Sequence, residues 1–344
     1  MSLPAALHRA DAALSTLQTR LESSTHLNPL DEVEARARFL RGGPVRFSYR
    51  PLRNADELLR ACDAVRPPDH PLGREIALAV EELRLAILAL RDRTPEAFET
   101  LANAAGWWET AEAPDSPPPP VRAADPGVML LPDVVSGFEV ALRQRGFSRW
   151  QVITDPVMSA RVLVDSPRRL IRVNPRAVIS PTAMRALVAH EVGVHVARSE
   201  AGARQPLRIF ATGLTRSLAV EEGLALRAEA AVAGLPEGTP DRLALLAAAA
   251  RRARDQGFTG LYRGLEPLVG AGAAWTTCLR LKRGLRDPET PGVYAKDRVY
   301  WLGWCAVTAF VDAGGDLTPL GVGKVGLGHP VREWLAEGWL SPPG

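Results

Sequence analysis

Apolar residues recur at helical spacing along most of this chain and alternate over only a few short stretches. Leu7, Ala12, Leu14, Leu17 and Leu21 predict an amphipathic helix within the first 40 residues. A second helical pattern covers about 31–40 and stops at Gly42-Gly43-Pro44. Residues 73–92 predict a strong helix with Ile76, Val80, Leu83, Ile87 and Leu90 as its apolar stripe. Val45, Phe47 and Tyr49 alternate, which reads as a strand over 45–51. The clearest break is 114–126, where Pro117 to Pro120 are consecutive. Such a run favours polyproline II and predicts a surface linker. It would divide an N-terminal helical region, 1–113, from a second domain, 127–344.

Beyond the break, 138–144 is helical, and 151–153, 161–165 and 170–173 read as short strands. Ser180-Pro181 is a helix start. The hydroxyl caps a free backbone N–H, and proline at the first helical position has no N–H to lose. That helix runs to about Ser199, and helical patterns return at 217–233, 241–254 and 299–313. There is no internal repeat. The chain is therefore α+β and predominantly helical, with a few short strands.

Composition narrows the class. With 344 residues, 46% hydrophobic and 24% charged, the chain can bury one large core or two intimate ones. The net charge of +3 comes from 42 basic and 39 acidic residues with no long block of one sign, which argues against a nucleic-acid footprint. Cys62, Cys278 and Cys305 form no CxxC pair, so neither a disulfide framework nor a thiolate zinc site is expected. The first residues do not read as a signal peptide. Apolar stretches such as 243–250 fall short of the ~20 residues a membrane span needs. The expectation is a cytoplasmic, reduced protein with no membrane or nucleic-acid partner.

The helix after Ser180 carries the candidate chemistry, His190-Glu191-Val192-Gly193-Val194-His195. In the common HExxH zinc-peptidase motif the histidines are four apart and share one helix face. Here they are five apart. At roughly 100° per residue, a regular helix would point His195 about 140° away from His190. Both can reach one ion only across a π-bulge or a helix end. Gly193 is expected to ease the distortion. The other histidines, His8, His26, His70 and His329, have no ligand spacing. A catalytic zinc takes three protein ligands and leaves one position open. Glu221 and Glu222, in Ala219-Val220-Glu221-Glu222-Gly223-Leu224-Ala225, are candidates. On pattern alone, solvated acids in the first turn of a helix are an equal reading.

HEVGVH, Arg198, Gln205-Pro206-Leu207, Gly213-Leu214 and Glu222-Gly223-Leu224-Ala225 together resemble the tyrosine carboxypeptidase family related to the microtubule-associated tyrosine carboxypeptidase. Its bacterial relatives are QEGLA-motif, HExxxH metallopeptidase-like proteins. The similarity is strongest over 187–230 and continues through Arg283-Gly284, Lys296-Asp297, Tyr300, Gly323-Lys324 and 338–343. It implies a zincin-like catalytic core in 127–344. It also implies one Zn²⁺ held by His190, His195 and Glu222, with Glu191 as the general base. Two positions depart from the pattern: Val194 replaces a frequent threonine, and Glu221 replaces the glutamine of many bacterial relatives.

In this reading Tyr300 is the candidate second donor to the developing oxyanion. Arg283, Lys296 and Arg198 are the candidate cations for a substrate carboxylate. The expected function is a zinc metallopeptidase, a carboxypeptidase removing a C-terminal residue (tyrosine or another aromatic) from a peptide or protein tail. The contrasting class is a catalytically silent zinc-binding regulatory protein, against which the intact Glu191 argues. A composition heavy in alanine, arginine and leucine points to a substrate other than tubulin.

Overall fold

The computed structural model describes residues 3–110, 127–233 and 241–343. The linker expected at 114–126 lies outside the described residues. The N-terminal part contains α1 (Ala5–Arg20), α2 (Ser23–Leu27), α3 (Glu32–Leu40), α4 (Ala55–Asp63), α5 (Pro71–Asp92) and α6 (Pro95–Ala104). Each long helix buries the stripe its periodicity predicts. Leu7, Leu14 and Leu17 face inward on α1, as do Ile76, Ile87 and Leu90 on α5. His70 caps α5, its Nδ1 accepting from Leu72 N at 3.1 Å. Arg93, at φ 57°, ends the helix and lays its guanidinium over the Tyr49 ring at 4.3 Å.

Residues 45–51 form no strand. The alternation is real, since Val45 and Phe47 are buried and Phe47 packs edge-on against Phe258 and Trp275. Alternation reports burial of one face, whereas a strand also requires a neighbouring backbone to complete its ladder. Here Ser48 N and Oγ donate to the Asp31 side chain at 2.7 and 2.9 Å, and the backbone bond from Leu30 N to Ser48 O at 2.8 Å is not continued into a ladder.

After α7 (Leu131–Gln144) come β1 (Gln151–Thr154), β2 (Val162–Asp165) and β3 (Leu170–Val173), in the order β1-β3-β2. β1 runs parallel to β3, with Gln151 opposite Leu170, and β2 runs antiparallel to it, with Val162 opposite Val173. α8 (Pro181–Leu187) leads into a π-helical segment (Val188–Val196) and then α9 (Ala197–Ala203). Ser180 Oγ accepts from Ala183 N, as the sequence predicts. Phe138, Trp150, Ile171, Val173, Leu187, Val192 and Val196 form one core, which seats this composite helix on the sheet and α7.

The remaining elements are α10 (Ile209–Thr212), α11 (Ser217–Ala233), α12 (Asp241–Ala253), α13 (Phe258–Lys282), α14 (Arg298–Asp312) and α15 (Val331–Ala336). α13 is broken at Gly270, whose φ of 78° favours glycine. α11 and α14 cross backbone to backbone. A Cβ on Gly223 would lie 2.2 Å from Gly303 O, and one on Gly303 would lie 1.7 Å from Ala219 O. The largest core joins Leu7, Ile76 and Phe98 to Phe210, Phe258, Trp275 and Trp334. Asp11 reinforces the junction, accepting from Arg208 N at 2.8 Å and Ile209 N at 2.9 Å at the start of α10. No helix among the described residues is long and apolar enough to cross a membrane.

Candidate metal centre

The five-residue spacing of the histidines is accommodated by the π-helical segment, which spans both. Hydrogen bonding from i to i+5 widens the turn and returns residues five apart to nearly the same face. The rings of His190 and His195 lie 4.9 Å apart, centroid to centroid, at 61°. Both are buried, as is Glu191 between them. Gly193 contributes little, because its φ is not in the left-handed region and a Cβ there would meet nothing closer than 3.8 Å.

α11 closes the site from the other side. Glu222 Oε2 lies 3.5 Å from His190 Nε2 and 3.5 Å from His195 Nε2. It is buried and has no hydrogen-bond partner, an expensive condition for a carboxylate oxygen. Donors on a tetrahedral zinc, at 2.0–2.1 Å from the ion, sit about 3.4 Å from one another. Both separations from the Glu222 oxygen therefore match those between ligands around a small cation. The buried group of His190, Glu191 and His195 could hold a metal ion, its ligand atoms all lying within 4.8 Å of one another.

The outer nitrogens of the rings face carboxylates. His195 Nδ1 donates to Glu221 Oε1 at 2.6 Å. His190 Nδ1 lies 3.3 Å from Glu229 Oε2, without hydrogen-bond alignment. Metal-binding histidines commonly present the second nitrogen to such a group, which fixes ring and tautomer. Glu221 is itself fully engaged: Lys324 Nζ sits 2.6 Å from Oε1 and Arg198 Nη1 3.6 Å from Oε2. Burial pushes its carboxyl pKa up, but the Lys324 charge and the His195 hydrogen bond outweigh that and hold it at about 2. An ionised Glu221 can only accept, so the His195 Nδ1 carries the hydrogen and Nε2 faces Glu222. Burial likewise opposes charge on His190, yet the adjoining carboxylates of Glu222 and Glu229 raise its pKa well above the ordinary value. Glu222 is held below the ordinary carboxylate range, its burial being offset chiefly by the charge of His195.

His190 and Glu191 open onto a cavity of about 620 Å³, also lined by Glu229, Tyr300, Arg161 and Arg242. Glu191 makes no hydrogen bond or ion pair among the described residues. Burial and the nearby Glu222 raise the Tyr300 pKa, so its hydroxyl keeps its proton.

The structure thus brings His190, Glu191, His195, Glu222 and Tyr300 together. Arg198, Arg283 and Lys296 do not line this cavity. Arg198 donates to Val325 O at 2.7 Å and faces Glu221. Arg283 lies 3.8 Å from Asp297, donates to Ser159 Oγ and covers the Tyr294 ring. Lys296 is within electrostatic reach of Glu82 on α5. Sequence reasoning missed Glu229 and Arg161. Glu229 had a readable signal, being two helical turns from Glu222 on the same face. Arg161 had none, as one arginine among many at a strand edge.

A sequence profile of the family described as microtubule-associated tyrosine carboxypeptidase matches residues 94–344. Microtubule-associated tyrosine carboxypeptidase 1 of Homo sapiens is 31% identical over 155 residues, 44% of this chain and 32% of that protein. The proteins of the same name from Mus musculus and Rattus norvegicus are each 29% identical over 155 residues, with the same coverage. The matched region is about a third of the length of these relatives. Since the family match takes in most of the sequence and contains every residue of the site, the chain belongs to the microtubule-associated tyrosine carboxypeptidase family.

Proposed function

We propose that this chain is a zinc-dependent carboxypeptidase that removes a C-terminal residue, tyrosine or another aromatic, from a peptide or protein tail. The observation that carries this reading is Glu222 Oε2, buried, unpartnered and 3.5 Å from the Nε2 atoms of both histidines. His190, His195 and Glu222 would hold the ion, within a zincin-like catalytic core in 127–344. Zinc bound there supplies Lewis acidity to the scissile carbonyl and acidifies water. Glu191 lies beside these ligands with its carboxylate free, and in this role takes a proton from the attacking water and passes it to the departing amine nitrogen. Tyr300 donates its hydroxyl hydrogen to the carbonyl oxygen as negative charge develops there. Glu221 and Glu229 keep the two imidazoles oriented.

Two measurements test the reading: metal content of protein purified without a histidine tag, and a peptide library digested and read by mass spectrometry. One zinc per chain and trimming from the C-terminus are expected. Glu191→Gln should retain the zinc and lose roughly 10²–10⁴-fold in turnover. Zinc without turnover would favour a silent metal-binding protein, and internal cleavage would remove the exopeptidase assignment.

A further inference from the structure

A carboxypeptidase must distinguish a terminal carboxylate from a chain that continues. The cavity beside Glu191 carries three guanidinium groups, those of Arg161, Arg242 and Arg280, against two carboxylates, Glu191 and Glu229. Arg280 is committed, because its Nε and Nη2 donate to Asp297 at 2.6 and 2.9 Å. Glu229 faces His190 and also feels the charges of Arg242 and Arg161. Arg161 and Arg242 make no side-chain hydrogen bond or ion pair among the described residues. Both side chains are exposed overall; the partial burial of the Arg161 guanidinium and the charge of Arg242 lower its pKa, while Glu229 and Glu191 raise it. Two like charges sharing a cavity repel, and an anion between them relieves that repulsion.

Arg161 is also well anchored. Its carbonyl accepts from Asn174 N at 2.9 Å. The Asn174 side chain donates to Met158 O at 3.0 Å and Ala160 O at 3.3 Å, which fixes the turn leading into β2. The rest of the cavity is largely apolar, with Leu187, Leu226, Leu243 and Val269 on its walls. Gly272 adds space there, since a Cβ at that position would meet nothing within 4 Å. One wall thus accepts an apolar side chain, and the Arg161 and Arg242 guanidinium groups, which make no hydrogen bond among the described residues, remain for an anionic group.

We propose that Arg161, assisted by Arg242, binds the α-carboxylate of the substrate's C-terminal residue. The guanidinium donates two parallel N–H groups to the two carboxylate oxygens, a geometry a lysine cannot reproduce. The assignment rests on the peptidase reading above, so its test separates binding from turnover. Full-length Glu191→Gln protein loaded with zinc is titrated calorimetrically with N-acetyl-phenylalanine and with N-acetyl-phenylalaninamide. The acid should bind about ten-fold or more tightly than the amide. Adding Arg161→Gln should abolish that preference and leave the amide's affinity unchanged, while Arg161→Lys should restore part of it. Equal binding of acid and amide, or a preference that survives Arg161→Gln, overturns the proposal. So does a loss confined to peptides with an acidic residue before the scissile bond, which would put Arg161 at an upstream position. Peptide trimming by the native enzyme is followed in parallel. Trimming without acid–amide discrimination retires only the Arg161 assignment; discrimination without trimming retires only the peptidase reading.

Discussion

Glu221 illustrates how much one side chain can depend on its surroundings. In sequence it could pass for a solvated acid near the start of a helix. In the fold it is 2% exposed, carries Lys324 and Arg198, and orients His195. Its folded pKa of about 2 lies below the ordinary glutamate value of 4.5. Between those values the unfolded chain binds more protons than the folded one, so stability rises with pH. The contribution, on the order of a few kcal/mol, is complete above about pH 4.5 and lost as pH falls towards 2. Glu221→Gln should therefore flatten the pH dependence of stability in that window. Denaturant unfolding of both proteins at a series of pH values checks this, and parallel curves would count against it.

At the scale of elements, two glycines that look alike in sequence behave differently. Gly193 sits inside the π-helical segment, yet a Cβ there meets only ordinary contacts. The wide turn is held by packing: Val192 and Val196 go into the sheet core, and the histidines face α11. Gly193→Ala should therefore leave stability unchanged or raise it by up to about 1 kcal/mol, and keep the metal. Gly223 is the point where α11 touches α14. An alanine there must push the helices apart, at a cost of about 1–3 kcal/mol or more. The shift would displace both Glu222, its neighbour, and Tyr300, one turn before Gly303. Gly223→Ala should lower the melting temperature and the zinc content together. Helix existence was legible for α1, α3, α5, α8 and α11, where a stripe or a cap marks the pattern. α13 was not, because Gly260, Gly264, Pro267, Gly270 and Gly272 interrupt it, and its helicity rests on burying Leu261, Leu265, Trp275 and Leu279.

At the scale of the molecule, the largest core includes α1, α5 and α6 as well as α10, α13 and α14. Asp11 adds a buried polar tie between the first helix and the turn after α9. Parts that share a core lose it together. Scanning calorimetry should accordingly show one transition, with calorimetric and van't Hoff enthalpies in agreement. Two resolved transitions would mean that the residues before 110 fold as a separate unit. The N-terminal helices also reach the neighbourhood of the site. Glu32, Arg36 and Leu40 on α3 line a second cavity of about 590 Å³, which shares Ser159, Ala160, Arg161 and Thr276 with the first.

The chain itself determined the ligand-type residues, their irregular spacing and hence the need for a π-turn, because those follow from the helical repeat and the chemistry of imidazole and carboxylate. The capped start at Ser180 and the three short strands were likewise local matters, readable from neighbours in sequence. Tertiary structure decided which acids and cations meet. Glu222 faces the histidines because α11 packs against the π-helical segment. Arg198 donates to Val325 O and Arg283 to Ser159 Oγ, while Arg161 lines the cavity beside Glu191. Charged side chains carry no mark of their partners until distant segments pack, since the energy of each depends on burial and on charges tens of residues away.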